Sequence, residues 1–373
     1  MKKIMFIYGT RPEAIKMAPL IKEFQKNSND FNVIICLTGQ HRQMLDQINS
    51  FFDIKGDYDL NLMKPNQTLF DIVSGCLLGL KEILEKEQPD LVFVQGDTST
   101  VLAGALAAYF YKIPVAHLEA GLRSGDKYAP FPEEGNRILT GHIADWHFAP
   151  TDRAVENLKA EGINNNVFKV GNTVIDALNL GLELIKKSDE NVYRNYFNCL
   201  DFDKRIILIT GHRRESFGDG FEHICKAIAY EADKHSDVQF VYPMHFNPNV
   251  REPVMKYLSG KSNVFLIEPL DYPYLIWLME KCYFVLTDSG GIQEEAPALG
   301  KPVLVMRDVT ERQEGIEAGT AKIVGTKYNM IIENIELLLN EESEYKKMSN
   351  AVNPYGDGTT SKKIIKLLRE IEW

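Results

Sequence analysis

The stretch TDSGGIQEEAPALGKPVLVMRDVTER, from Thr287 to Arg312, is the most informative segment of the chain. An apolar strand ends at Thr287, the residues Ser289-Gly290-Gly291 form a turn, and an acid-bearing helix leads to a second apolar strand, Pro302–Met306. Because glycine has no side chain, backbone N–H groups at a helix start can approach a phosphate closely, and the helix dipole adds positive charge. The stretch therefore predicts a phosphate-binding turn, with a plain strand–helix connection as the alternative.

The same alternation of apolar strand and helix continues along almost the whole chain. A first series of strands is predicted at Ile4–Tyr8, Val33–Leu37, Leu91–Gln95, Val115–Leu118 and Trp146–Ala149. A second series is predicted at Ile206–Thr210, Val238–Tyr242, Val264–Ile267, Phe284–Thr287, Val303–Met306 and Lys322–Val324. This alternation is typical of α/β proteins with doubly wound parallel sheets.

Length and composition indicate two domains in a cytoplasmic enzyme. The 373 residues exceed what one hydrophobic core usually holds, and Leu182–Lys204 is charged and lacks strand character. We expect an N-terminal domain over residues 1–172, a C-terminal domain over 173–358 and a last amphipathic helix over 359–373. The short apolar run at the N-terminus reads as a strand rather than a signal peptide, and no segment is long enough to cross a bilayer.

Charge and cysteine usage exclude several classes of protein. The net charge of −10 argues against nonspecific nucleic-acid binding, so any anionic ligand needs local basic groups. The five cysteines are scattered and lack CxxC spacing, which predicts buried, reduced thiols. His142 and His147 do not have HExxH spacing, and no Walker loop or dinucleotide fingerprint is present. We therefore predict neither a metal nor a cofactor.

Polar residues that directly follow the predicted strands are the candidate site residues. In open parallel sheets, ligands bind beyond the carboxyl ends of the strands. The residues at these positions are Arg11, Asp97, Glu119, His212 and Ser289, with Lys16 on the helix after Arg11 and Glu294 and Glu295 after the glycine turn. Asp97 has a second interpretation as a helix cap, and Lys16 as a solvated surface cation.

Two further motifs place charged residues where they could act together, one by helical spacing and one by direct adjacency after a strand. In PFPEEGNR, Glu133 and Arg137 have i, i+4 spacing, which also fits a surface ion pair. In GHRRES, His212 stands beside two arginines after a strand, as phosphate binding would require, although a loop histidine is the alternative.

Ten motifs in order resemble the bacterial non-hydrolysing UDP-N-acetylglucosamine 2-epimerases. They are GTRPEAIKMAPL, TGQHRQMLDQ, GDTSTVLA, HLEAGLRSGD, PFPEEGNR, GNTVIDAL, TGHRRESFG, YPMHFNPNVRE, TDSGGIQEEAPALGKPVLVMRD and NPYGDG. The resemblance implies two Rossmann-like domains facing a cleft, in a glycosyltransferase-B-like arrangement, with the last helix packing back on the first domain. It also implies a homodimer that interconverts UDP-GlcNAc and UDP-ManNAc for cell-surface polysaccharide precursors, without NAD or metal.

The resemblance also implies residue roles. The family eliminates UDP as the proton at carbon 2 leaves and then adds UDP back to a 2-acetamidoglucal, which requires carboxylates and cations. The catalytic candidates are Asp97, Glu119, Glu133, Arg137 and His212. The substrate-binding candidates are Arg11, Lys16, Asp97, Glu119, His212, Leu275, Ser289, Gly290, Gly291, Glu295 and Arg312. Leu275, beside Tyr274, stands where some relatives place a phenylalanine near the uracil.

A second set of residues resembles the positions at which bacterial members hold a further UDP-GlcNAc as an activator. The set consists of Gln40, Gln43, Arg213, Arg214 and His245. The alternative for Gln40 and Gln43 is that they cap the helix beginning near Arg42. Three other functions share many of these features: a hydrolysing epimerase that releases free ManNAc, a retaining glycosyltransferase and a catalytically idle nucleotide-sugar sensor.

Overall fold

The computed structural model describes residues 1–40 and 42–371, and the prediction of a last helix reaching residue 373 lies in part outside them. The α-helices are α1 Arg11–Lys26, α2 Arg42–Phe51, α3 Leu69–Glu87, α4 Ser99–Phe110, α5 Glu133–Ile143, α6 Asp152–Ala160, α7 Thr173–Lys187, α8 Asn191–Tyr196, α9 Asp219–Lys234, α10 Pro248–Leu258, α11 Tyr272–Lys281, α12 Gly290–Ala298, α13 Gln313–Glu317, α14 Tyr328–Asn340, α15 Glu342–Ser349 and α16 Thr360–Glu370. The strands are β1 Lys2–Tyr8, β2 Phe31–Leu37, β3 Tyr58–Asp59, β4 Leu91–Gln95, β5 Val115–Leu118, β6 Trp146–Ala149, β7 Val167–Lys169, β8 Arg205–Thr210, β9 Val238–Pro243, β10 Val264–Ile267, β11 Phe284–Thr287, β12 Val303–Val305 and β13 Ala321–Ile323.

The chain forms two compact units. The N-terminal unit comprises Met1–Leu180 together with the segment that begins at Tyr355, and the C-terminal unit comprises Gly181–Pro354. The division falls inside α7. Each unit has its own parallel sheet with helices between consecutive strands, so the predicted α/β class with two doubly wound sheets is confirmed.

The sheet of the N-terminal unit runs in the order β3-β2-β1-β4-β5-β6-β7, and all its strand pairs are parallel. The order reverses between β1 and β4, as in a Rossmann fold. Stacked and edge-to-face rings fill one face of the sheet: Phe6 and Phe148 both stack on Phe93, and Phe24 meets Phe6 and Phe93 edge-on. These rings are fully buried, so they form a close-packed layer that supports the strands whose ends carry the candidate residues.

The sheet of the C-terminal unit repeats this topology with the order β10-β9-β8-β11-β12-β13. Its order reverses between β8 and β11, where Thr210 pairs with Thr287 in register. Side chains of α9 and α14 pack against this sheet, among them Ile224, Ile228 and Ile335. In each unit the reversal point predicts where a ligand would lie.

The last helix, α16, belongs to the N-terminal unit and is anchored at both ends. At its start, the Asp176 carboxylate accepts hydrogen bonds from the backbone N–H groups of Thr360 (3.2 Å) and Ser361 (2.7 Å). At its end, the Arg369 guanidinium donates to Asp30 and Asn27 beside α1. An acceptor at the helix start satisfies donors that have no partner within the helix.

The structure tests two sequence predictions, one on the burial of the cysteines and one on membrane-spanning segments. Cys36, Cys76, Cys225 and Cys282 are buried free thiols as predicted, whereas Cys199 is exposed because it lies in the turn after α8. Among the described residues, every helix is too short or too polar to cross a membrane.

Candidate functional site

The turn from β1 into α1 is organised by Glu13, a residue that the sequence analysis did not select. Its buried carboxylate accepts hydrogen bonds from the backbone N–H groups of Gly9 (2.8 Å) and Thr10 (2.7 Å) and from the Thr98 hydroxyl (2.5 Å). Burial raises the pKa of Glu13, and these donors oppose the rise. The carboxylate thus fixes the turn that bears Arg11 at the first position of α1. The Thr10-x-x-Glu13 capping box was the available sequence signal.

Glu119 lies directly after β5 and collects three donors. Its carboxylate accepts from Lys16 (2.5 Å), Gln95 (2.5 Å) and Asn172 (3.0 Å), and the residue is 8% exposed. Its backbone has a φ of 65°, which is uncommon for a residue with a side chain. The interpretation of Lys16 as a solvated surface cation is wrong, because its ammonium group lies on this carboxylate.

Asp97 lies after β4 and pairs with Arg137 of α5. The Arg137 guanidinium is 2.5 Å from the Asp97 carboxylate and 3.2 Å from the buried carboxylate of Glu134. The helix-cap interpretation of Asp97 is wrong, since Thr98 caps α4 by accepting from the Val101 N–H. The alternative of a surface ion pair between Glu133 and Arg137 is also wrong, because Arg137 is buried and faces Asp97 and Glu134 instead.

Three other predicted residues of the N-terminal unit are Glu133, Gln40 and Gln43. Glu133 is half-buried at the first position of α5 and makes no ion pair within the described part of the chain. The Gln40 side-chain oxygen accepts a hydrogen bond from the Thr100 hydroxyl (2.9 Å), so it is engaged at the start of α4 rather than at α2. Gln43 is exposed in the first turn of α2, and His41 between them lies outside the described residues.

In the C-terminal unit, Asp288 organises the loop that carries His212. One oxygen of its buried carboxylate accepts from the backbone N–H groups of His212 and Arg213, both at 2.7 Å. The other oxygen is 3.7 Å from the His212 imidazole. The sequence analysis did not select Asp288, because it assigned the phosphate-binding role to the glycine turn that follows. The acidic residue directly after a buried strand was nevertheless a usable signal.

The predicted glycine turn opens α12, with Ser289 as the residue before the helix. A side chain at Gly290 would lie 3.4 Å from the Glu311 carboxylate and 3.5 Å from the Arg312 guanidinium, so glycine leaves the helix start open beside a cation. Burial opposes ionisation of Glu311, but Arg312 and Arg307 lower its pKa to about 2. The turn therefore combines backbone donors with guanidinium groups, as an anion site requires.

Glu294 and Glu295 of α12 have separate partners. The Glu294 carboxylate is bound by Arg312 (2.6 Å), and Glu295 accepts from the Tyr272 hydroxyl (2.9 Å). Glu294 therefore fixes Arg312, while Glu295 is held by the first residue of α11. Leu275 is half-buried in the first turn of the same helix.

The remaining basic candidates lie around His212. The rings of His212 and His245 stack at 5.1 Å with 10° between their planes. Burial is the main cause that lowers the pKa of His245, and the neighbouring His212 is the second. Arg213 reaches the Glu311 carboxylate at 3.8 Å, and Arg214 is exposed.

These arrangements define two chemically different sets of residues. The N-terminal unit presents the Lys16–Glu119 and Arg137–Asp97 pairs at neighbouring strand ends, a combination that can move protons beside positive charge. The C-terminal unit presents a glycine-opened helix start with Arg312 and the His212 loop, a combination that can bind phosphate.

The family model, the similar sequences and the similar solved structures all point to one family. A family model described as UDP-N-acetylglucosamine 2-epimerase matches residues 22–369. The UDP-N-acetylglucosamine 2-epimerase of Escherichia coli strain K12 is 53% identical over 371 residues, which is 98% of each chain. The crystal structure of UDP-GlcNAc 2-epimerase from Neisseria meningitidis bound to UDP-GlcNAc has a TM-score of 0.92 at 49% identity, over 99% of this chain and 100% of that chain. The Methanocaldococcus jannaschii UDP-GlcNAc 2-epimerase in complex with UDP-GlcNAc and UDP has a TM-score of 0.82 at 35% identity, over the same shares.

Proposed function

Because the chain belongs to the UDP-N-acetylglucosamine 2-epimerase family, we propose that it interconverts UDP-GlcNAc and UDP-ManNAc without hydrolysis. The products would serve as precursors of cell-surface polysaccharide, made in the cytoplasm. The observation that carries this proposal is the pair of carboxylates, Asp97 and Glu119, each held by a cation at the ends of neighbouring strands.

The proposed route is elimination followed by readdition. The hydrogen at carbon 2 has little acidity, so a base removes it as a proton while the bond from carbon 1 to the UDP oxygen breaks. The electron pair of the C–H bond forms the double bond of a 2-acetamidoglucal, and UDP keeps the electron pair of the broken bond. Reprotonation on the opposite face and return of UDP to carbon 1 complete the epimerisation. The scheme needs proton-transfer groups at the sugar and positive charge at the diphosphate.

Residues of the N-terminal unit supply the proton-transfer groups in this proposal. Asp97, Glu119 and Glu133 act as acids and bases, and Arg137 holds Asp97 in place. The short contacts that fix Glu119 to Lys16 and Asn172 support a positioned catalytic group, because proton transfer needs hydrogen-bond reach.

Residues of the C-terminal unit hold the UDP moiety in this proposal. The Ser289 hydroxyl and the backbone N–H groups of Gly290 and Gly291 donate to phosphate oxygens, since the Ser289 N–H donates to the Thr287 hydroxyl (2.9 Å), and Arg312 adds charge. His212 supports the departing diphosphate, Glu295 accepts from ribose hydroxyls, and Leu275 lies by the base. Arg11 of the N-terminal unit is proposed as a further cation for the substrate.

Proton NMR of the purified protein with UDP-GlcNAc in heavy water tests the route. Elimination and readdition predict UDP-ManNAc with deuterium at carbon 2 and little free ManNAc. A parallel incubation without protein controls for spontaneous exchange. Accumulation of free ManNAc and UDP would instead indicate a hydrolysing epimerase, and retention of the original hydrogen would indicate internal transfer.

We also propose that Gln40, Gln43, Arg213, Arg214 and His245 bind UDP-GlcNAc as an activator. Such a ligand favours the state to which it binds more tightly, so the reaction from UDP-ManNAc alone should be slow until a trace of UDP-GlcNAc is added. Gln43→Ala should reduce this stimulation, while the control Gln47→Ala, at another exposed position on α2, should not. Hyperbolic, unstimulated turnover of pure UDP-ManNAc would contradict the proposal.

A homodimer is supported by exposed apolar side chains on the adjacent helices α3 and α4. Phe70, Leu78, Tyr109 and Phe110 are 86%, 74%, 60% and 65% exposed. Large exposed apolar side chains on neighbouring elements indicate a protein interface. Light scattering after size exclusion should give twice the chain mass, and Phe110→Glu should shift it towards the monomer. Val352→Glu, at a position 83% exposed in the other unit, is the matched control.

A further inference from the structure

The C-terminal unit contains a cluster of two carboxylates and one imidazole that the proposed reaction does not use. Glu231 lies in the last turn of α9, His235 directly follows that helix, and Glu336 lies on α14. One ligand-type atom from each lies within 4.8 Å of the others. The i, i+4 spacing of Glu231 and His235 brings both side chains to one face of α9, but Glu336 is distant in sequence.

Glu231 is the unusual member of the cluster. The residue is 0% exposed, and neither of its carboxylate oxygens has a hydrogen-bond partner among the described residues. Other buried carboxylates of the chain, such as Glu13, receive several donors. Its oxygen instead faces the His235 imidazole at 3.4 Å, with the Glu336 carboxylate alongside. Because a buried carboxylate without donors is costly, a cation or a proton must accompany it.

The dimensions of the cluster suit a small divalent cation. Ligand atoms at tetrahedral Zn²⁺ lie about 3.3 Å apart when the metal–ligand bonds are about 2.0–2.1 Å. The separation from the His235 Nε2 atom is 3.4 Å to Glu231 and 2.7 Å to Glu336, so the second of these two contacts must open. Imidazole nitrogen and carboxylate oxygen are both ordinary zinc ligands, and water can take the fourth position.

Neighbouring groups hold the cluster in place. The Asn340 amide donates to one oxygen of Glu336 (2.7 Å), which orients that carboxylate as outer-shell partners of metal ligands do. The backbone N–H of His235 donates to the Glu231 carbonyl (2.9 Å). The Lys234 ammonium donates to the other oxygen of Glu336 (2.7 Å) and would have to leave it, which its half-exposed side chain allows.

We propose that Glu231, His235 and Glu336 form a divalent-cation site, best matched to Zn²⁺, that ties the end of α9 to α14. The site stabilises the C-terminal unit and takes no part in the reaction. A proton is the competing occupant, because burial, together with Glu336, raises the pKa of Glu231 to about 8.

The test uses full-length protein dialysed against a chelator and titrated with ZnCl₂ in a calorimeter. We expect one Zn²⁺ per chain and a higher melting temperature, with Mg²⁺ and Ca²⁺ giving neither, since they prefer all-oxygen sites. His235→Gln and Glu336→Gln should each weaken zinc binding at least tenfold. The controls His223→Gln on α9 and Glu333→Gln on α14 change exposed residues of the same types and should bind as wild type.

Two additional variants make the result decisive. Glu231→Gln should abolish the zinc-dependent rise in melting temperature, and the metal-free variant should still fold because it loses only a buried carboxyl group. Lys234→Ala should strengthen zinc binding by roughly twofold to fivefold, the range of an exposed ion pair, because it removes the competing ammonium. Zinc uptake that the ligand substitutions leave unchanged, or no uptake by the metal-free wild type, would overturn the proposal.

Discussion

Replacing His117 tests whether a buried neutral imidazole supports the turn that carries Asp97. His117 lies on β5, is 1% exposed, and its Nε2 atom is 2.7 Å from the Gly96 carbonyl oxygen. Since a carbonyl only accepts, Nε2 carries the proton, and no described group partners Nδ1. Burial is the main cause that lowers the pKa of His117 to about 4. The residue is therefore neutral wherever the protein is folded at ordinary pH.

The size of the effect follows from the difference between the folded and unfolded pKa values. Between pH 6.5 and 4 the unfolded chain binds a proton at His117 that the folded chain does not bind. The free energy of unfolding therefore falls as the pH falls through this window, and the contribution is fully present only above pH 6.5. At pH 5 the loss is about 2 kcal/mol, which corresponds to a fall of roughly 4–8 °C in melting temperature.

Scanning calorimetry and NMR together can test this reasoning. His117→Gln keeps an N–H donor for the Gly96 carbonyl but cannot titrate, so its melting temperature should fall less than that of the wild type between pH 7 and pH 5. In protein labelled at the histidine ring carbons, the resonance that disappears in His117→Gln should stay in its neutral position down to about pH 5. A midpoint near 6.5 for that resonance, or equal pH dependence in the two proteins, would refute the reasoning.

Turnover, nucleotide affinity and stability should respond to three other sets of substitutions. Asp97→Asn, Glu119→Gln and Glu133→Gln should each lower kcat by about 10²–10⁴-fold while calorimetric binding of UDP-GlcNAc persists, and near-normal kcat in all three would contradict their assignment. Asp288→Ala leaves two backbone N–H groups of the His212 loop without their acceptor and should weaken UDP binding about tenfold by calorimetry, a loss near 1.4 kcal/mol. Asp176→Ala removes the acceptor at the start of α16 and should lower the free energy of unfolding by about 1–3 kcal/mol in urea titrations; an unchanged midpoint would count against this role.

The central strands could be predicted from the sequence, and the two edge strands of the N-terminal sheet could not. The predicted ranges of β4, β5 and β6 agree with the structure residue for residue, because strands buried on both faces appear as continuous apolar runs. The edge strands β3 (Tyr58–Asp59) and β7 (Val167–Lys169) were missed. They have only two or three residues, include charged side chains and are partly exposed, so they carry neither an apolar run nor a clear alternation.

For the candidate site, the sequence predicted positions along the chain better than it predicted partners. The rule that polar residues follow parallel strands placed Glu119 and Asp97 at one edge of the sheet, and they do lie there. Their partners depend on which helices lie beside that edge, which local spacing cannot give. The i, i+4 rule paired Arg137 with Glu133, whereas the fold turns Arg137 inward to Asp97. Local spacing describes an isolated helix, and burial against a neighbouring strand end overrides it.

The carboxylates that the sequence analysis missed share one physical role. Glu13, Glu134 and Asp288 are all nearly fully buried, and each accepts hydrogen bonds from two backbone N–H groups of a turn. A turn that places catalytic or binding residues has N–H groups that cannot pair within a sheet or helix, so a buried acceptor must satisfy them. Such acceptors are occupied by backbone N–H groups, and motif reasoning that looks for reactive groups therefore passes over them. Their substitution should displace the turns, so a loss of activity at these three positions would reflect positioning rather than chemistry.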